Sequence, residues 1–286
     1  MANNQASGPQ DIVLDRRKFS VTALGVGFAL SVQPVSAETI TTDANGLTAG
    51  EVKIPVSDGE IPAYRAMPTG KTNLATIVVV HEIFGVHEWV KDVCRRFAKQ
   101  GYLAVAPYLY ARQGDATKYT DMKLLVSELV SKVEDEPVLS DLDATAKWGA
   151  ANGGDPAKLG VTGFCWGGRI TWLYTARNPN IKAGVAWYGG LVGKGDNPRP
   201  MQAVTLADKI HGRVLGLYGG LDKGITAEDV EKMRAALKAA GDTKTEITVL
   251  PEAEHGFLAD YRPSYNEAAA KAGWAKCLEW FKAHGV

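Results

Sequence analysis

Val161-Thr162-Gly163-Phe164-Cys165-Trp166-Gly167-Gly168 decides how this chain is read. The apolar run Leu159–Gly163 reads as a short buried strand, and Gly167–Ala176 reads as a helix directly after it. Cys165 then stands on the sharp turn between them, in the pattern Gly-x-nucleophile-x-Gly. Glycines two residues to either side let strand and helix approach without side-chain clash. The helix N-terminus offers free N–H groups and the positive end of its dipole to the sulfur, favouring a thiolate and later an oxyanion. A buried core cysteine is the competing reading, since that is the common fate of a free thiol. The strand-before, helix-after context weighs against it.

Outward from this turn the pattern alternates. Ala75–His81 is a continuous apolar run rich in β-branched residues, as expected of a strand covered on both faces. Val86–Gln100 reads as a helix, Tyr102–Ala106 as a strand stopped by Pro107, and Thr117–Ala151 as two helices broken near Pro137. Ala183–Tyr188 and Val214–Tyr218 read as strands, Ala227–Ala240 as a helix, Glu246–Leu250 as a strand and Tyr265–Ala283 as a final helix. Before all of these, Glu51–Val56 and Ile61–Ala66 flank Ser57-Asp58-Gly59 and read as a β-hairpin. Strands alternating with helices specify an α/β fold: a mostly parallel central sheet with helices on both faces. Residues 48–286 read as one such domain.

A thiol nucleophile needs a base, and the base needs a group to orient it. The strand Val214–Tyr218 runs into Gly219-Gly220-Leu221-Asp222, which puts Asp222 just past a strand's carboxyl end, where open α/β sheets bind ligands. Glu246–Leu250 leads into Glu254-His255-Gly256-Phe257 at the same edge. Of the five histidines, only His255 comes after both Cys165 and Asp222 and lies just beyond a late strand. His211 precedes its strand, and His284 is at the end of the last helix. The order nucleophile, acid, histidine is that of the α/β-hydrolase fold.

Composition narrows the partners. In 286 residues there are 32 basic and 32 acidic side chains, with 45% hydrophobic residues. No basic excess or stripe is present, so a nucleic-acid partner is not expected. The three cysteines, Cys94, Cys165 and Cys277, have no zinc-ligand spacing, and no metal or cofactor is expected. Cys94 and Cys277 fall on the first and last core helices, leaving open either a disulfide or two separate thiols.

Residues 1–37 read as an export signal. Arg16-Arg17-Lys18-Phe19 precedes an apolar run, Val21–Val32, too short to span a bilayer, and Val35-Ser36-Ala37 supplies small residues for cleavage. The arginine pair resembles a twin-arginine signal, which is read by export machinery and is not an anchor. Its removal leaves a net charge of −1, a polar lead-in at 38–47, and a periplasmic or secreted protein without a stable membrane anchor.

Together these motifs resemble the dienelactone hydrolase (carboxymethylenebutenolidase) family. The resemblance includes His81-Glu82-Ile83-Phe84-Gly85, Pro107-Tyr108-Leu109-Tyr110-Ala111-Arg112, the Cys165 turn, Trp187-Tyr188-Gly189-Gly190, Gly220-Leu221-Asp222 and Glu254-His255-Gly256-Phe257. It implies a small ester or lactone substrate, Cys165 as nucleophile, His255 as proton carrier and Asp222 as its orienting group. It implies an oxyanion hole from the backbone N–H groups of Ile83 and Trp166. It also implies that Glu82 hydrogen-bonds the resting thiol and takes part in its activation. Tyr110, Trp166, Trp187 and Tyr188 are expected to line the pocket. The family's best-known members grip a substrate carboxylate with two arginines, one of them four residues after the histidine. Ala259 stands there, and Arg262 is three further on. Arg112 and Arg262 are the candidates for anion contacts, and dienelactone is not specified as the substrate. A broad-specificity carboxylesterase, a non-catalytic ligand-binding member and a redox thiol protein are the alternatives.

Overall fold

The computed structural model describes residues 40–193 and 201–286. The expected signal at 1–37 lies outside the described residues. An eight-stranded sheet runs through the molecule in the order β1-β2-β4-β3-β5-β6-β7-β8. The strands are β1 (Leu47–Val56), β2 (Gly59–Pro68), β3 (Leu74–Val80), β4 (Leu103–Pro107), β5 (Gly154–Phe164), β6 (Ile181–Trp187), β7 (Arg213–Gly219) and β8 (Glu246–Leu250). The expected hairpin is β1–β2, paired antiparallel from Leu47↔Pro68 to Val56↔Gly59, and β2 joins β4 antiparallel. From β4 to β8 every neighbouring pair is parallel. This is the α/β-hydrolase arrangement.

The helices are α1 (Glu88–Lys99), α2 (Asp135–Ala151), α3 (Trp166–Arg177), α4 (Ala227–Ala239) and α5 (Glu267–Ala283). In α1 the buried residues Trp89, Val90, Val93, Cys94, Phe97 and Ala98 recur at helical spacing and form one apolar stripe against the sheet. The central strands are covered on both faces: Ile77, Val78, Val79 and Val80 of β3 are all fully buried. Their β-branched side chains suit such a position. Cys94 and Cys277 are free buried thiols, so the disulfide does not form. Desolvation by burial raises the pKa of both.

Two differences from the sequence reading have physical causes. Pro137 does not break a helix but sits in the first turn of α2, where the missing N–H costs nothing. The break falls earlier, in short helical turns between 116 and 132. β5 begins at Gly154, not Leu159, because its first residues pair irregularly with β3, and the alternation of the buried half says nothing about them. Residues 40–46, within the polar lead-in, make specific contacts with α1. The Thr42 N–H donates to Asp92, Arg95 Nε donates to the Thr42 carbonyl at 2.8 Å, and Lys99 pairs with Asp43 at 2.8 Å. The segment is thereby laid across α1.

Candidate active site

Cys165 stands between β5 and α3 with φ 55° and ψ −114°, a conformation rare for a residue with a side chain. Its neighbours explain why the chain tolerates this. A Cβ on Gly163 would lie 2.2 Å from the Gly167 carbonyl oxygen, and one on Gly167 would lie 2.3 Å from that of Val80. Only glycine at both positions lets α3 lie this close to β5 and to the end of β3. The Cys165 N–H donates to the Trp187 carbonyl at 3.0 Å, which ties the turn to β6.

Asp222 comes after β7 and His255 after β8, at the same carboxyl edge of the sheet as Cys165. His255 Nδ1 lies 2.8 Å from Asp222 Oδ2, and both side chains are buried. The other oxygen, Asp222 Oδ1, accepts from the N–H groups of Gly224 at 2.8 Å and Ile225 at 3.1 Å. That loop holds the carboxylate independently of the imidazole. His255 Nε2 is buried and makes no well-aligned hydrogen bond, yet the Cys165 sulfur acts strongly on the ring. Such contacts often tighten only when substrate is bound. Burial alone would lower the His255 pKa, but the Cys165 sulfur, then the Asp222 carboxylate, outweigh it and raise the pKa to about 10.

Ile83 lies three residues past β3, and Trp166 is the first residue of α3. Among the described residues neither backbone N–H donates to another backbone carbonyl outside the regular elements, and a helix's first N–H has no partner within it. His81 holds the approach to Ile83. Its Nδ1–H donates to the Glu82 carbonyl at 2.6 Å, and its Nε2 accepts the Leu109 N–H at 3.3 Å. Desolvation lowers its pKa to about 4, so it is a neutral structural group. Its ring stacks on Trp166 at 5.4 Å and meets Tyr110 edge-on at 4.7 Å.

Glu82 has partners that no motif announced. One oxygen lies 3.1 Å from the Arg262 guanidinium, the other accepts the Tyr261 hydroxyl, and Glu82 and Arg262 are both buried. The hydrogen bond to the resting thiol that the resemblance implies is not among the contacts Glu82 makes here. Burial opposes the charge on Arg262, but Glu82, Tyr261 and other neighbours together outweigh it and the pKa is raised. Arg262 also lies over the Phe84 and Tyr261 rings, at 5.1 and 5.6 Å. With its side chain 1% exposed, it is the counter-ion of Glu82 rather than a hand extended to substrate.

Two further expectations resolve differently. Arg112 forks between Asp58 and Asp141, with contacts of 2.6 to 3.0 Å, and pins the β1–β2 turn to α2. Trp187 packs into the core against Gly273 of α5, and its Nε1–H donates to Thr162 at 3.1 Å. Strand alternation sends it to the face that α5 covers. Tyr188, one residue on and at φ 36°, turns to the site side, with its ring 5.1 Å from His255. Burial, then the Glu82 carboxylate, holds its hydroxyl neutral by raising the pKa well above the ordinary value. Among the described residues no group of three or more His, Cys, Asp or Glu side chains could hold a metal, and no helix is long and apolar enough to cross a membrane.

A mostly parallel sheet carrying a cysteine on the strand-to-helix turn, with aspartate and histidine at later strand ends, defines an α/β-hydrolase. The sequence model of the dienelactone hydrolase family matches residues 61–285, and the chain belongs to that family. A Methylorubrum extorquens protein named "Putative carboxymethylenebutenolidase" is 57% identical over 275 residues, covering 96% of this chain and 94% of its own. An Escherichia coli K12 protein of the same name is 50% identical over 260 residues, covering 91% and 96%. The crystal structure named "Putative Dienelactone Hydrolase" from Klebsiella pneumoniae has 53% identity and a TM-score of 0.81, covering 82% of this chain and 98% of its own. The chain is a hydrolase of this family.

Proposed function

We propose that this hydrolase cleaves a small ester or lactone through a covalent thioester on Cys165. The Cys165 thiol passes its proton to His255 as the sulfur attacks the carbonyl carbon, and the developing oxyanion accepts hydrogen bonds from the backbone N–H groups of Ile83 and Trp166. A single donor of this kind contributes about 3–4 kcal/mol where measured in a protease. His255 then gives its proton to the leaving alkoxide as the carbon–oxygen bond breaks. Water, deprotonated by His255, attacks the thioester, and the imidazolium returns that proton to the departing sulfur, releasing the acid and the free thiol. Asp222 holds the tautomer and stabilises the imidazolium.

The observation that carries this reading is the His255–Asp222 bond of 2.8 Å together with the raised His255 pKa, whose largest favourable cause is the Cys165 sulfur. His255 is bonded to the carboxylate, and the influence of the sulfur on its pKa supports its role as the thiol's proton partner. Cys165→Ala and His255→Ala should abolish cleavage of p-nitrophenyl esters while circular dichroism stays native. Intact-protein mass spectrometry after rapid acid quench should show an acyl adduct on Cys165. Full turnover by folded Cys165→Ala protein would refute the mechanism.

Residues 1–37 are proposed to direct export by the twin-arginine route, on the strength of Arg16-Arg17 and the short apolar run. Replacing both arginines with lysine should retain the protein in the cytoplasmic fraction. Unchanged export would exclude that route.

A further inference from the structure

His255 lies in the irregular segment 251–266 that joins β8 to α5. No strand ladder or helix fixes such a segment, so its place over the sheet depends on individual contacts. Within it two successive turns fold the chain tightly. The Ala259 N–H donates to the Gly256 carbonyl and the Arg262 N–H to the Ala259 carbonyl, each at 2.9 Å. A Cβ on Gly256 would lie 2.9 Å from Arg262 Cδ, so the Arg262 side chain folds back over the residue next to His255. Residues 255–262 are thereby built as one compact unit.

Side chains tie this unit to two other elements. Tyr261 and Arg262 hold Glu82, just past β3. Asp260, between Ala259 and Tyr261, reaches α1 instead. Its Oδ2 lies 2.7 Å from Arg96 Nη2, and its side chain is 3% exposed. Arg96 is itself held by Asp92 of the same helix at 2.5 Å. α1 begins shortly after Ile83, the candidate oxyanion donor.

The main chain of Ile40 closes around this ion pair. Its N–H donates to Asp260 Oδ1 at 3.2 Å, and its carbonyl accepts from Arg96 Nη2 at 3.4 Å. The Ile40 side chain is 56% exposed, so the contribution is that of the backbone. Both oxygens of Asp260 are therefore used, one by a guanidinium and one by a backbone N–H. A carboxylate this far out of water is costly unless it is paired and hydrogen-bonded. Asp260 takes no part in the proposed chemistry, yet it is anchored as firmly as a group that does. Charge-assisted bonds of this kind are strong and directional. What they hold in place here is the segment that carries the base.

We infer that Asp260 is a positioning residue for His255. With Arg96 and the Ile40 main chain it fixes the histidine-bearing segment to α1, the helix that follows Ile83, so that base and oxyanion donor keep their spacing. This rests on the hydrolytic reading above and adds to it a residue that touches neither substrate nor reacting atoms.

The test is steady-state kinetics on p-nitrophenyl acetate, well below the melting temperature of each variant. The kcat is expressed per Cys165 that iodoacetamide can label. Asp260→Ala should lower kcat about ten- to a hundredfold, since a small misplacement of a catalytic group is that costly. KM should stay nearly unchanged, because no substrate contact is lost. Asp260→Asn keeps an acceptor for Arg96 and Ile40 and should retain most of kcat. Ile40→Pro removes the N–H and should lower kcat roughly threefold, whereas Ile40→Ala should match the wild type. Ile40→Pro added to Asp260→Ala should cause no further loss, because both act through one carboxylate. A purely structural role would lower the melting temperature and the labelled fraction but leave kcat per labelled Cys165 intact, which would overturn the inference. Losses that simply multiply in the double variant would also overturn it. If Asp260→Ala does not fold, Ile40→Pro decides, and an unchanged kcat there overturns the inference. If no ester is cleaved, or folded Cys165→Ala cleaves it fully, the hydrolytic reading fails and this inference falls with it. Cleavage that depends on Cys165 and His255 but is indifferent to Asp260 overturns only the inference.

Discussion

The Arg262 guanidinium lies 3.1 Å from the Glu82 carboxylate, and neither side chain is more than 1% exposed. Two residues far apart in the chain thus form a charge pair, one member of which, Glu82, immediately precedes the candidate oxyanion donor, Ile83. Taking both ions out of water is costly, and their attraction repays it only when the remaining polar atoms are also satisfied. Tyr261 supplies part of that, donating to Glu82. The pair fixes the loop after β3 to the loop after β8.

Breaking this pair from one side should be far worse than removing it. Arg262→Met leaves an uncompensated buried carboxylate and should cost about 3–5 kcal/mol. Glu82→Gln with Arg262→Met removes both charges and should recover a large part of that loss. Urea denaturation of the two single variants and the double variant closes the cycle. Additive losses would mean that the two residues do not act as a pair.

The His255 imidazolium should lose its extra stabilisation when the sulfur is removed. Its pKa of about 10 results from Cys165 and Asp222 overcoming desolvation. In Cys165→Ala the carboxylate alone opposes burial, and the pKa should fall. A ¹³C-detected histidine titration measures this directly. The raised folded value means that the native state binds the proton more tightly than the unfolded chain. The associated stability is complete below the ordinary pKa of 6.5 and is lost as pH rises from there through about 10. Thermal melts across that window should fall more steeply for the wild type than for Cys165→Ala. Identical slopes would remove the coupling.

Much of the site was legible in the sequence because it depends on order along the chain. Cys165, Asp222 and His255 each come just after a recognisable strand, and parallel strands deliver their C-terminal loops to one edge of the sheet. The Glu82–Arg262–Tyr261 cluster was not legible as a cluster. Glu82 lies just past β3 and Arg262 lies in the irregular segment before α5, where no periodicity reports direction. The misreading of Arg112 has the same origin. Its motif position is near the site, but its side-chain partners, Asp58 and Asp141, come from a turn and a helix that only the folded chain brings together. Trp187 and Tyr188 show a finer limit. Sequence pattern places the end of β6 one residue late, and that residue decides which ring faces the core and which faces the site.

The glycines of the Cys165 turn provide a control for steric necessity. Gly163→Ala would place a methyl group 2.2 Å from a backbone oxygen, which no rotamer change relieves. It should cost more than about 3 kcal/mol and abolish activity. Gly190→Ala meets nothing within 4 Å and should change stability by less than about 0.5 kcal/mol. Comparing Tm and ester turnover of the two variants separates close packing from a general loss of chain flexibility. Similar losses in both would undo the packing argument.

The segment just after the proposed signal should stabilise the folded domain. Asp92 is buried in α1 and accepts from Arg96 at 2.5 Å, from Arg95 at 3.2 Å and from the Thr42 N–H. Arg95 returns a hydrogen bond to the Thr42 carbonyl at 2.8 Å. A chain beginning at Leu47 would keep the sheet but leave these buried charges short of two partners, and the Thr69 N–H would lose the Gly46 carbonyl it now uses at 2.9 Å. Compared with a chain beginning at Glu38, it should be less stable by about 1–3 kcal/mol in urea denaturation. The surface pair Lys99–Asp43 should matter little, so Asp43→Asn in the longer chain should leave the midpoint almost unchanged. A large effect of Asp43→Asn, or none of the truncation, would mean that α1 does not depend on Thr42.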